Sequence, residues 1–69
     1  MTLRDIRQDA LLTQEDVAKI CNVTQAAVSR WESGEYPIPR KYWKFYRSNF
    51  RLTDDEINDA INETMHIGG

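Results

Sequence analysis

The chain has 69 residues, 41% hydrophobic and 29% charged, with a formal net charge of −2 at pH 7. This is one domain's worth of chain, and a domain so small buries only about 60% of the surface its unfolded chain exposes, so modest stability is expected. No apolar run approaches the roughly 20 residues of a membrane span, and no basic segment leads into an apolar one as a secretory signal requires.

Apolar residues recur three and four apart, and no stretch sustains a period of two, so the chain reads as all-α. Thr2 can cap a first helix covering residues 3–10, with Leu3, Ile6 and Ala10 on one face. Thr13 can cap a second, whose first turn carries Glu15 and Asp16 where carboxylates favour the positive helix end. Val17, Ala18 and Cys21 form its inner face. Cys21 is the one cysteine and has no internal disulfide partner, which suits a cytoplasmic protein with a small apolar thiol in its core. Asn22 tolerates the left-handed conformation of a tight turn. Thr24 can cap a third helix, and Gly34 ends it.

The stretch "EYPIPR" is a loop in which Pro39 can open the next helix. That fourth helix is predicted over 40–48 and carries Tyr42, Trp43, Phe45 and Tyr46. Trp43 and Phe45 are assigned to the core; Tyr42 and Tyr46 are candidates for an exposed face that meets a second protomer. Thr53 with Glu56 three residues on is a capping-box pattern. It opens a last helix over 53–66 with Ile57, Ala60, Ile61 and Met65 on one stripe, a second candidate for a dimer contact if it is not simply core. Residues 67–69 are expected to fray, leaving a single five-helix domain over 1–66.

Charge is unevenly placed. All nine Lys and Arg residues precede position 52 and share that segment with six acids, a net +3. Residues 53–69 hold five acids and no Lys or Arg, a net −5. A mildly basic body thus precedes an acidic last helix.

On the third helix, Val28, Trp31 and Ala27 fall on one arc, while Gln25, Ser29, Ser33, Ala26 and Arg30 fall on the other. The outer arc is small or polar with two long members. Gln can bond adenine bidentately, Arg can do the same to guanine O6 and N7, and an alanine methyl can touch a thymine methyl. Periodicity alone leaves two readings open: a DNA-reading face, or an ordinary solvated one.

The spacing over residues 13–34 resembles the phage Cro/repressor helix-turn-helix group, the XRE family. Thr13, Gln14, Val17 and Ala18 stand at its start, Asn22 where a turn glycine is usual, Val23 and Thr24 at the turn and cap, and Val28 and Trp31 at the inward positions. Glu32-Ser33-Gly34 close the motif, and the likeness reaches Arg7 upstream and Pro39-Arg40 downstream. Leu11 stands where the family often has glycine.

That resemblance implies a compact five-helix lambda-repressor-like domain with a helix-turn-helix over 13–33. It implies base reading by Gln25, Ala26 and Arg30, with Ser29 beside them. Phosphate contacts would come from Gln14, Thr24 and Arg40, with Lys41 adding charge. Arg7 and Glu32 would form a buried structural salt bridge. The bland alternatives are a plain cap for Thr24 and solvated side chains for Gln14, Arg30, Arg40 and Lys41. The implied function is a sequence-specific double-stranded DNA-binding regulator, similar to a Cro-like or immunity repressor of a phage or mobile element. It would work as a cytoplasmic, nucleoid-associated homodimer on a palindromic operator. The acidic last helix also permits a different role, a modulator or anti-repressor that keeps the fold and binds another repressor. No cofactor is implied. Nothing resembles an enzyme's nucleophilic set: His66 is alone near the end. Asp54, Asp55 and Glu56 read as partners of a helix dipole rather than a metal site, and Cys21 lacks a second thiol at zinc spacing.

Overall fold

The structure, a computed structural model, describes the backbone of residues 1–68 and side chains as far as His66. Among the described residues there are five α-helices: α1 Leu3–Asp9, α2 Gln14–Cys21, α3 Gln25–Ser33, α4 Trp43–Phe50 and α5 Asp54–Gly68. A single 3₁₀ turn, Arg40–Tyr42, precedes α4.

Threonine starts four of the five helices, for one physical reason. The first backbone N–H groups of a helix have no partner within it, and a threonine hydroxyl just outside can accept from one of them. Thr2, Thr13 and Thr24 accept from the N–H of Asp5, Asp16 and Ala27. Thr53 accepts from Glu56 N–H at 3.1 Å. At three of these starts the third helical residue returns the bond to the threonine N–H: Asp5 at 2.9 Å, Asp16 at 2.9 Å and Glu56 at 3.0 Å. Two of the boxes use aspartate, a shorter side chain than the usual Glu or Gln.

The core gathers Leu3 and Ile6 of α1, Val17, Ala18 and Cys21 of α2, Val28 and Trp31 of α3, Ile38 of the loop, Tyr46 of α4, and Ile57, Ala60 and Ile61 of α5. Burying one such aliphatic side chain contributes about 1.5–3 kcal/mol, so the loop residue Ile38 is an anchor in its own right. α2 packs on α3, α3 also packs on α5, and α1 touches both α3 and α5. Buried Thr64 joins α5 to α1: its hydroxyl accepts from Leu3 N–H at 2.9 Å and donates to the Ala60 carbonyl at 2.7 Å. The terminal amine pairs with Glu63 beside it.

Several expectations need correction. Ala10 does not share the buried face of α1; it is the exposed C-cap. The fourth helix begins as a 3₁₀ turn because Tyr42 N–H bonds the Pro39 carbonyl at 3.0 Å, one residue too near for an α-turn, and α4 then extends to Phe50. Tyr46 is not exposed; it is among the largest fully buried side chains, at 1% exposure. Trp43 and Phe45 are only half-buried, as is Tyr42. Of the two readings of the α5 stripe, packing holds for Ile57, Ala60 and Ile61, which are core, and Met65 is half-buried. α5 continues through Gly68, and Gly69, the end of the expected frayed tail, lies outside the described residues.

Candidate nucleic-acid interface

α2 and α3 meet through a short turn that only a few residue types can make. Asn22 takes φ 57° and ψ 48°, the left-handed region that asparagine tolerates better than other residues with a Cβ. Val23 N–H then closes on the Ala18 carbonyl at 2.9 Å. The chain leaves this turn into Thr24, whose hydroxyl accepts from Ala27 N–H at 3.2 Å and keeps its own proton free to donate.

α3 is held by its inner arc. Val28 is 0% and Trp31 5% exposed. The Trp31 ring lies 5.1 Å from the Tyr42 ring, centroid to centroid, and Tyr42 lies 6.2 Å from Phe45. The outer arc faces solvent: Gln25, Ala26, Ser29 and Arg30 are all exposed.

Beneath that arc runs a chain of hydrogen bonds. Arg7 donates through Nε to Glu32 Oε2 at 2.6 Å and through Nη2 to Oε1 at 3.0 Å, while its Nη1 reaches the Leu12 carbonyl at 2.9 Å. The Glu32 side chain is fully buried, and Arg4 Nε adds a longer contact at 3.7 Å. The pair raises the Arg7 guanidinium above its usual proton affinity, chiefly through the hydrogen bonds it donates to Glu32. Gln14 Nε2 then donates to Glu32 Oε1 at 3.2 Å, and Gln25 Nε2 donates to Gln14 Oε1 at 3.5 Å. The last contact, long at 3.5 Å, leans the Gln25 amide nitrogen toward Gln14. The Gln25 Oε1 and second N–H have no partner among the described residues, and they are the acceptor-donor pair that an adenine edge requires.

Gln14 is therefore half-buried and engaged rather than solvated. Sequence reading missed the link from Glu32 to Gln14. A signal existed: Glu32 is seven residues after Gln25, about 20° short of two full turns, so the two share a side of α3.

Arg40 and Lys41 are exposed on the 3₁₀ turn. The Arg40 guanidinium lies 5.1 Å from the Trp43 ring centroid, and Lys41 Nζ lies 5.1 Å from that of Tyr42. Half-buried aromatic rings thus lie under two exposed cations, and one of those rings, Tyr42, also packs on Trp31 of α3. Tyr36 was not anticipated. Its exposed ring sits 5.6 Å from the Arg30 guanidinium carbon.

Other chemistry finds little footing. Among the described residues no group of three or more His, Cys, Asp and Glu could hold a metal ion. Cys21 is buried, and burial pushes its thiol up. No helix among the described residues is long and apolar enough to cross a membrane.

Two helices joined by a tight left-handed turn, the second anchored by two inward residues with its polar side bare, define a helix-turn-helix domain. The comparison with protein families agrees: the helix-turn-helix family model matches residues 3–45. The chain belongs to the XRE-type helix-turn-helix family, a family of DNA-binding transcription regulators. No curated protein and no solved structure gives a match.

Proposed function

We propose that this protein is a sequence-specific reader of double-stranded DNA that represses transcription by occupying an operator, in the manner of a small Cro-like or immunity repressor of a phage or mobile element. One observation carries the reading. The polar arc of α3 is bare, and its first long side chain, Gln25, is oriented from below through Gln14, Glu32 and Arg7. A solvated helix face has no need of an oriented amide. In this reading Gln25, Ala26, Ser29 and Arg30 meet base edges, while Thr24, Arg40 and Lys41 meet phosphates. Gln14 acts mainly as the support of Gln25, and its amide can reach a phosphate in addition.

One such module contacts few bases, so a homodimer on a palindromic site with half-sites about 34 Å apart is the natural arrangement. Binding-site selection from a random duplex library tests all of this. A two-fold symmetric enriched site supports the dimeric reader; a single half-site would remove the dimer but keep the reader.

A second reading has its own support. Asp55, Asp59 and Glu63 are exposed along α5, and the helix carries no Lys or Arg. That acidic surface suits docking against the basic DNA-binding face of another regulator. If no duplex is enriched while a purified partner repressor binds, this modulator role replaces the first.

A further inference from the structure

The loop after α3 is folded back onto the end of that helix by unusually dense hydrogen bonding to one carbonyl. The Arg30 carbonyl accepts from Glu35 N–H at 3.2 Å and Tyr36 N–H at 3.4 Å. It also accepts from the Ser33 hydroxyl at 3.0 Å. Gly34 makes this possible by taking φ 76°, where a side chain would be costly, and its N–H bonds the Trp31 carbonyl at 3.4 Å. Two further restraints act from the other side. Pro37 confines the backbone of Tyr36 to extended conformations. Ile38 is buried at 5% exposure, and its carbonyl accepts from Trp43 Nε1 at 3.1 Å.

Tyr36 is thus a large aromatic residue, 53% exposed, on a loop pinned at both ends. Packing of the core does not account for it. Its ring lies beside the Arg30 guanidinium, 5.6 Å from centroid to carbon. A guanidinium lying over an aromatic ring is attracted by the ring's face, and the N–H groups not aimed at the ring stay available for hydrogen bonds. Bidentate bonding to guanine O6 and N7 uses such groups. An unsupported arginine must surrender side-chain freedom on binding; one already laid against a ring surrenders less.

We infer that Tyr36 is a specificity-determining positioning residue, holding Arg30 in the orientation that reads its base pair. This rests on the reading of α3 as the DNA-contacting helix. Tyr36 acts through Arg30, and its hydroxyl is not required.

The test measures equilibrium binding of the intact protein and of Tyr36→Phe, Tyr36→Leu and Tyr36→Ala. Probes are the selected duplex and its variants at the base pair where Arg30→Ala relaxes preference. Tyr36→Phe should match the wild type. Tyr36→Ala and Tyr36→Leu should lose about 3- to 10-fold in discrimination at that pair. Preference elsewhere and the salt slope should stay as they were, and in an Arg30→Ala background Tyr36→Ala should cause no further loss at the pair. Tyr36→Leu keeps apolar bulk over the loop and carries the test if Tyr36→Ala unfolds. Equal damage from Tyr36→Phe would point to a hydroxyl contact and overturn the inference. So would loss spread evenly over all sequences, or losses that add to those of Arg30→Ala. If the wild type selects no sequence, the DNA-reading role falls and takes this inference with it. If the wild type selects and Arg30→Ala relaxes one pair while Tyr36→Ala changes nothing, this inference alone falls.

Discussion

Gln14 donates to Glu32 at 3.2 Å, so a residue at the start of α2 is tied to one near the end of α3, 18 positions later. Because Glu32 is also gripped by Arg7 of α1, one carboxylate ties both α1 and α2 to α3, in addition to the packing of Val28 and Trp31. The same carboxylate serves folding and, through Gln14, the pose of Gln25.

Removing that carboxylate should be costly. Glu32→Ala leaves the Arg7 guanidinium largely buried without its partner, and truncating one member of such a pair costs about 3–5 kcal/mol. Urea denaturation of the variant should show that loss. Replacing Arg7 and Glu32 together by apolar residues of similar size should recover most of it, since no charge is then stranded. A cost below about 1 kcal/mol for Glu32→Ala, the scale of a surface pair, would show that the bridge is solvated in practice.

Two arginines should behave differently on DNA. Arg30→Ala is expected to relax preference at one base pair per half-site, by about 1–3 kcal/mol. Arg40→Ala should weaken all sequences evenly and lower the slope of log K against log salt by about one. Binding titrations at several salt concentrations separate the two. An even loss from Arg30→Ala would make it a phosphate contact, and an unchanged slope would remove Arg40 from that set.

Leu11 is 91% exposed and takes φ 60° in the turn between α1 and α2. A left-handed residue with a Cβ costs about 1–2 kcal/mol, whereas glycine's extra freedom in the unfolded chain costs about 0.5–1 kcal/mol. Leu11→Gly should therefore stabilise the fold by up to about 1.5 kcal/mol, with Tm rising by about 4–8 °C for each 1 kcal/mol gained in a domain of this size. A lower Tm would mean that the leucine side chain has contacts worth more than its strain.

Among the described residues the buried Tyr46 hydroxyl has no hydrogen-bond partner, and burial, above all, pushes it to a higher pKa. An unmet buried polar group carries a desolvation penalty of about 1–3 kcal/mol. Tyr46→Phe should leave stability unchanged or raise it, read from the denaturation midpoint. Tyr46→Ala should cost about 3–5 kcal/mol through the cavity it leaves. A destabilised Tyr46→Phe would reveal a partner for the hydroxyl.

Acid should loosen the helix starts. Asp5 and Asp16 are both held below the ordinary value of 3.8, first by the backbone N–H of Thr2 and Thr13 respectively. A lowered folded pKa means the folded state binds the proton less readily than the unfolded one. The stabilisation is therefore complete above the ordinary carboxylate range, declines as pH falls through 3.8, and is gone below the depressed value. Midpoints measured across this range should fall with pH, and less steeply in Asp16→Asn. An identical slope in that variant would exclude the α2 box as a source.

Local chemistry was legible in the sequence. Threonines before apolar periodic runs start four helices, Asn22 turns the chain between α2 and α3, Gly34 ends α3, and the inward pair Val28 and Trp31 follows from a period of 3.6. Each depends on residues within one turn of one another, so the backbone's own geometry suffices. The contrast is Tyr46. Sequence offered it as a candidate for the exposed face of the fourth helix, yet it is buried, because α4 packs on α5 with Tyr46 in the shared core. Ile57 and Ile61 likewise became core only once α5 lay against α3 and α4. The Arg7–Glu32 bridge was expected from the family resemblance alone, whereas the bonds that run on from Glu32 to Gln14 and from Gln14 to Gln25, and the placing of Tyr36 beside Arg30, join residues from different helices or from across a folded loop. Helical period and capping chemistry act over a few residues; which side chains meet across elements depends on how rigid helices pack in three dimensions, and only the tertiary structure decides that.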